Sequence, residues 1–468
     1  MGAKILFVHT RELCYYSGSF FLKRMQEAVS RLGIESEYIA LEDQQDLDRF
    51  EHRIGEHFDG VVDINSKLPY FVLDDDTRLL DALGAPFYNY IVDHPLYHHP
   101  GLVFPLQQYH AIGIDHRHCA YMKKHYPHLQ QVAFLPLGAT AAGEVSREGA
   151  IGESALREET LRDAMSLEGT TLGMTLPEYR KRKIPLLVSA TYERGDEMIS
   201  KFRALCYQIP SKAAQANGFH RELFELGMQV GECMLAGRTD AGGKYRGISG
   251  QGNGAANREM ADGMNLAEIR EMPMEEALLS VLDPEQLADG RFGTTEFPVL
   301  MNYLYLIDKY VRNVRREKVM NYVASLGIPM VVLGEGWEAT PLADNPNVHL
   351  LGARRIEDTF ALMAESRQVL DINPLFPEGV HDRVTSAMRN GCVCLSDMSQ
   401  QADPRLLDGR QLQYYTNWNL DLLGERLLGT SMAQQEKIAY EAHIFAGTHY
   451  TWDAHARQLL ELMGLSDK

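Results

Sequence analysis

The chain has 468 residues, more than a single hydrophobic core usually serves, so it divides into domains. Apolar residues make up 45% and charged residues 24%, which excludes wholesale disorder. With 64 acidic against 46 basic residues the net charge is −18, which argues against general binding to a phosphate backbone, and the longest apolar runs fall short of the roughly 20 residues a membrane helix needs.

The apolar run Ala3 to Val8 is too short for the core of a signal peptide, and the chain is expected in the cytoplasm. Cys14, Cys119, Cys206, Cys233, Cys392 and Cys394 show no CxxC spacing and read as reduced packing residues.

In chain order, Lys4 to His9 reads as a first strand, and Phe21, Met25, Ala28, Val29 and Leu32 repeat at helical spacing until Gly33 closes that helix. Ser36 to Leu41, Gly60 to Ile64, Pro86 to Val92, Ala111 to Ile114 and Val132 to Leu135 continue as strands, with helical stretches such as His116 to Tyr126 between them. This alternation predicts a parallel, doubly wound sheet in an N-terminal lobe over residues 1–140. Asp74-Asp75-Asp76 reads as an acidic helix start rather than a metal site. Residues 141–183 form a polar linker.

A second lobe, residues 184–430, starts with Ile184 to Ala190 and resumes at Met330 to Leu333, Val348 to Leu351, Val369 to Ile372, Val393 to Ser396 and Leu412 to Tyr415. Between them, about 193–325, lies a largely helical insertion of unknown purpose, a candidate surface for self-association. Within it Arg312, Arg315, Arg316 and Lys318 read as a solvated helix face, and Gly250-x-Gly252 as a loop rather than a dinucleotide fingerprint, because no strand precedes it. Residues 431–468 read as a helix crossing both lobes. No repeat of 20 to 50 residues is present.

The stretch from Asp371 to Asp397 reads strand, loop, helix, strand. In an open parallel sheet, ligands sit beyond the carboxyl ends of strands, where a helix N-terminus offers free NH groups and partial positive charge to phosphate. Glu378-Gly379 followed by His381 and Arg383 suits a diphosphate: glycine permits close backbone approach, and the guanidinium neutralises charge.

These residues resemble the donor-site signature of GT-B fold glycosyltransferases of the group 1 type, and among them the spore-maturation-like (CgeB-like) relatives. The match lies in Gly379-Val380-His381-Asp382-Arg383-Val384 ahead of Ala387-Met388, in Asn390-Gly391, and in Ser396-Asp397; Leu333-Gly334-Glu335-Gly336-Trp337, His349 to Gly352 and Leu407 to Arg410 support it. The resemblance implies two Rossmann-like lobes. It also implies a metal-independent transfer of a sugar from a nucleotide-sugar to an unidentified acceptor, with no cofactor. Glu378, Gly379, His381, Arg383 and Gly334 would meet the diphosphate and sugar, and Arg354 and Arg355 the nucleobase. Where such families place a second acidic residue, eight positions after the first, this chain has Ser386. That departure keeps a non-catalytic nucleotide-sugar binder open, and an epimerase of the nucleotide-sugar is a third reading.

On the acceptor side two N-lobe loops stand out. The first, His9 to Ser19, carries Glu12 as a catalytic candidate and Ser17-Gly18 as a place of close approach. The second, Val92 to Gly101, concentrates Asp93, His94, His98 and His99; a His or carboxylate there suits deprotonation of an acceptor hydroxyl, with His94 the first choice beside Asp93. Two prolines disturb metal-ligand spacing, so no metal is expected there.

Overall fold

The computed structural model of the chain describes residues 2–13, 16–145, 178–209, 218–236, 238–239, 270–372, 376–397 and 402–466. The N lobe holds β1 (Lys4–His9), β2 (Glu35–Ala40), β3 (Gly60–Ile64), β4 (Phe87–Ile91), β5 (Tyr109–Gly113) and β6 (Gln131–Phe134), all parallel, in the order β2-β1-β3-β4-β5-β6. The C lobe holds β7 (Ile184–Ser189), β10 (Met330–Leu333), β11 (Val348–Gly352), β12 (Ser366–Asp371), β13 (Val393–Ser396) and β14 (Gln413–Tyr414). Its order is β11-β10-β7-β12-β13-β14, again parallel. Counted within the lobe this is 3-2-1-4-5-6, the dinucleotide-fold order whose switch point falls between β7 and β12. A small antiparallel pair, β8 (Arg238–Thr239) and β9 (Arg270–Glu271), lies in the insertion.

Strand alternation distributes the cores. Ile5 and Phe7 of β1, and Ile184 and Leu187 of β7, join a layer shared by both lobes, whereas Leu6 and Val8 face an N-lobe core and Leu186 and Val188 a C-lobe core. The helices needed below are α1 (Ser17–Arg31), α2 (His116–His125), α3 (Gly195–Gln208), α4 (Phe219–Ala236), α5 (Met274–Val281), α6 (Tyr305–Ser325), α7 (Asp382–Arg389), α8 (Met432–His449) and α9 (Trp452–Leu462).

Four expectations change. First, the insertion, although it interrupts the C-lobe sheet in sequence, packs on the N lobe: Met198, Phe202, Leu223, Val230, Ala277 and Leu300 share a core with Val8, Ile91 and Leu96. α6 then carries the chain across, with Leu306, Ile307 and Val311 in that core and Val319, Met320 and Val323 in the C-lobe core. At 21 residues it spans about 30 Å.

Second, the basic run on α6 is a solvated face only at Lys318, which is exposed; Arg312, Arg315 and Arg316 are buried or partly buried. Arg312 bonds Tyr97 and Asp308, Arg315 bonds Met234 O and Glu271, Arg316 bonds Thr191 O, and Lys318 bonds Asn417 O. Helical pattern showed the charges but not the carbonyls and carboxylates that other segments bring to them. Third, Asp74–Asp76 occupy a turn, with Asp75 accepting from Thr77 N and Asp76 at φ 65°; the helix begins only at Leu79. Fourth, the C-terminal segment is two helices, broken where Thr451 accepts from Ala454 N and caps α9. α8 packs on α7 of the C lobe and α9 on α1 of the N lobe, so the break lets the chain return.

Trp337 and Trp452 are core residues. Trp337 stacks on Tyr192 and donates to Ala190 O (2.6 Å); Trp452 donates to Thr140 Oγ1 (3.0 Å). The five described cysteines are free thiols, and no helix among the described residues is long and apolar enough to cross a membrane. Cys14, most of the 141–183 linker and the glycine-rich 241–257 stretch lie outside the described residues.

Candidate active site

The carboxyl ends of both sheets face each other, and the loop ahead of α7 is where they touch. Asp115, fully buried at the end of β5, uses one carboxylate oxygen to cap α2 by accepting from Arg117 N (2.8 Å) and His118 N (3.1 Å), and the other to accept from Glu378 N (2.7 Å). Glu378 O accepts from His116 N at 3.3 Å. A Cβ on Gly379 would stand 2.5 Å from Ile114 O, so this backbone contact requires glycine. Glu378 itself is half-buried, with its carboxyl raised above the ordinary range by burial; Arg117 opposes that rise.

α7 starts from His381, whose Nδ1 accepts from Arg383 N (3.2 Å); burial lowers the pKa of this imidazole. Arg383 donates to Asp371 at the end of β12 (2.9 Å), and Asp371 also accepts from Ser396 Oγ (2.8 Å). Glu378, Gly379, His381 and Arg383 therefore converge on one loop beside the C-lobe switch point. Gly334 stands apart: at φ 124° its backbone packs on the β7 extension, where a Cβ would meet Ala190 O at 2.1 Å. Its glycine is explained by packing.

Ser386 faces the other way. Its hydroxyl accepts from Thr140 N (3.2 Å), while Asn390 accepts from Ala142 N and donates to Thr140 O, so α7 grips the segment that leaves the N lobe. Arg354 donates to Ala353 O, and Arg355 pairs loosely with Glu357 (3.5 Å) and lies over the ring of Tyr16, 5.0 Å from its centroid, bridging to the N lobe.

The N-lobe candidates separate. Glu12 accepts from Leu13 N, Gly18 N and Ser19 N and pairs with His9 (3.3 Å), so the chain's own carboxylate fills the N-terminal turn of α1 that begins at Ser17. His94 is buried, its Nδ1 accepting from Leu96 N (3.0 Å) and its Nε2 3.1 Å from Glu275 Oε1 of α5. Burial pulls the Glu275 carboxyl up, but His94 and Arg117 outweigh it and hold it down at about 2. Asp93 keeps a side chain 47% exposed, bonded by Asn65 Nδ2 (2.8 Å) with His98 Nε2 at 3.6 Å. Burial opposes its ionisation, yet His98, Arg312 and Asn65 keep it below the usual carboxylate range. Beneath this loop Asp63 accepts from Thr10 Oγ1 and from Ile64 N (2.6 Å), and burial pushes its carboxyl up to about 7.

Glu275, Arg312, Asp115 and Asn65 did not emerge as site residues from sequence. Asp115 had a local signal, an Asp directly before a helical pattern at a strand end; the others reach the site only through tertiary packing. Among the described residues no three His, Cys, Asp or Glu side chains group as metal ligands.

Two Rossmann-like lobes facing across their strand ends, the second in dinucleotide-fold order, are the GT-B arrangement. Residues 315–461, from mid-α6 through α9 and including the whole Glu378 to Arg383 loop, match a family model described as glycosyl transferase-like. This segment is therefore similar to glycosyl transferases, proteins that move a sugar from an activated donor to an acceptor. No curated protein matches it. Solved structures similar to it include Anabaena HepE in complex with UDP and glucose, at 10% identity over 99% of both chains with TM-score 0.48. A glycosyltransferase from Rickettsia africae has 8% identity over 100% of both chains and TM-score 0.44, and sucrose-phosphate synthase from Thermosynechococcus elongatus has 8% over 98% of both and TM-score 0.47.

Proposed function

We propose that this protein is a cytoplasmic, metal-independent glycosyltransferase of the group 1 type that takes a nucleotide-sugar at the carboxyl ends of β7, β10 and β12 and passes the sugar to an acceptor held by the N lobe. Within the group, the Gly379 to Val384 block favours kinship with the spore-maturation-like proteins. One observation carries the reading: inside the matched segment, the capped N-terminus of α7, Arg383 and Glu378 meet at the C-lobe switch point.

In the transfer, the bond from the sugar's anomeric carbon to the phosphate oxygen breaks, its electron pair leaving with the nucleoside diphosphate, and a bond from an acceptor hydroxyl oxygen forms at that carbon. The hydroxyl proton goes to a carboxylate or to the departing phosphate. Charge growing on the leaving group is met by the positive end of the α7 dipole and by the guanidinium of Arg383, which keeps further donors beside the one given to Asp371. The Asp115 to Glu378 tie closes the lobes over this point and excludes water, so transfer competes with hydrolysis. On the acceptor side Glu12 caps a helix and His94 is sealed by Glu275, which leaves Asp93 to face the cleft.

A thermal-shift series with UDP-, GDP- and ADP-sugars and their diphosphates tests this. A rise in melting temperature for one base, lost in Arg383→Ala, is expected. No shift with any of them refutes the donor site, and binding without turnover favours the non-catalytic reading.

A further inference from the structure

Besides its N-lobe contacts, the loop after β4 is held by the helical insertion. Leu96 O accepts from Asn302 Nδ2 (2.7 Å), His94 pairs with Glu275 of α5, and Tyr97 OH bonds Asp308 and Arg312 of α6, the latter at 2.9 Å. Next to it Arg117 of α2 bonds Glu276 at 2.6 Å. Each of these partners comes from the segment between β7 and β10. What that grip leaves half-exposed is Asp93, bonded by the Asn65 amide, with the His98 ring 3.6 Å away and the charge of Arg312 near enough to help hold its carboxyl below the usual range.

Two atoms at this spot, Asp308 Oδ1 and Arg312 Nε, are buried without a hydrogen bond, while His98 Nε2 faces Asp93 at 3.6 Å. Unsatisfied buried polar atoms around a half-exposed carboxylate mark a place where further polar groups are to be received. The charges Asp93, Asp308 and Arg312 leave no cationic surplus to draw in an anion. A carboxylate flanked by amide and guanidinium donors matches neighbouring hydroxyls, which both accept and donate.

We propose that the helical insertion forms one wall of an acceptor pocket in which Asp93 and Arg312 together bind adjacent hydroxyls of a neutral carbohydrate, with Arg312 determining specificity. This rests on the transferase reading. Asp93 takes the hydroxyl hydrogens, Arg312 donates to a hydroxyl oxygen, and Tyr97 with Asp308 positions Arg312.

The test uses the full chain with radiolabelled UDP-glucose, UDP-N-acetylglucosamine and GDP-mannose, offered methyl glycosides of neutral hexoses or the methyl glycoside of glucuronic acid, with transfer and free-sugar release measured separately. Neutral glycosides are expected to be labelled. Arg312→Ala should raise acceptor KM about 10-fold or more with donor KM unchanged, Arg312→Lys should recover part of it, and Asp93→Asn should cut the ratio of transfer to hydrolysis about 100-fold. Should Arg312→Ala fail to fold, Tyr97→Phe gives the same readout with a smaller perturbation. Unchanged acceptor KM in these variants, or labelling of the glucuronide alone, overturns the pocket. A protein that neither transfers nor hydrolyses any donor overturns the transferase reading first, and the pocket with it.

Discussion

Asp371 on β12 of the C lobe and Asp63 on β3 of the N lobe are both completely buried near the carboxyl end of a strand, and the two are treated in opposite ways. Asp371 has a cation, Arg383, and a hydroxyl, Ser396. Asp63 has Thr10 and a backbone NH, and no cation pairs with it among the described residues. The C-lobe carboxylate thus orients an arginine at the proposed donor site, whereas the N-lobe one lies under the loop after β4 as a group that titrates near neutrality. A buried acid is a fixture where its charge is matched and a pH-dependent element where it is not.

Removing the two charges should therefore act with opposite sign at pH 7.5. Asp371→Asn strands the Arg383 guanidinium, which is 15% exposed, and is expected to cost about 3 kcal/mol in denaturant unfolding and to weaken diphosphate binding. Equal stability would mean that the pair is not structural.

Asp63→Asn is the counterpart. The folded carboxyl titrates near 7 and the unfolded one near the ordinary value of 3.8, so both states are protonated in strong acid and the native protein loses stability as pH rises from about 4 through about 7. At 1.36 kcal/mol per unit that loss approaches roughly 4 kcal/mol if the carboxyl acts alone. Local hydrogen-bond rearrangement will take back part of it, so the expected gain for the variant at pH 7.5 is about 2 kcal/mol, vanishing near pH 4. Parallel stability profiles for both proteins between pH 4 and 8 would remove Asp63 from the account.

The same contrast explains what was legible in the sequence. The proposed donor loop is assembled within a short stretch: a strand ends at Asp371, His381 caps α7, and Arg383 turns back twelve residues to Asp371, all within reach of pattern reading. The strands of the two six-stranded sheets were read within two or three residues because short runs buried on both faces leave largely apolar stretches, as in Gly60–Ile64 and Val393–Ser396, whereas the two-residue β8 and β9 were not read. The loop after β4 is assembled by residues about 180 and 215 positions away, Glu275 and Arg312, and no period in the sequence records such a meeting. For that reason His94 looked like a free imidazole and Arg312 like a solvated one. Gly334 and Ser386 fell between: their residue types were meaningful, but the meaning was close backbone packing on Ala190 and a grip on Thr140.

Gly379 probes the contact at which the two lobes meet. Gly379→Ala places a methyl against Ile114 O and the Asp115 backbone, neither of which is the end of a flexible chain, so the lobes must shift apart; a loss of about 1–3 kcal/mol is expected. Nucleotide-induced stabilisation should fall with it, while Gly143→Ala, where a Cβ has open space, should leave both unchanged. If Gly379→Ala lowers stability but leaves the nucleotide shift intact, closure and donor binding are separate.

The smallest effect is expected at Glu12, where the N lobe supplies its own anion to a helix N-terminus. Glu12→Gln keeps an oxygen able to accept from Gly18 N and Leu13 N but removes the charge that complements the α1 dipole and pairs with His9, at an expected cost of about 0.5–1 kcal/mol. Since Glu12 is engaged in capping, turnover should change little more than stability does. A fall in kcat of about 100-fold with stability preserved would instead give this carboxylate a part in the chemistry and move the acceptor-side assignment from Asp93 to the loop after β1.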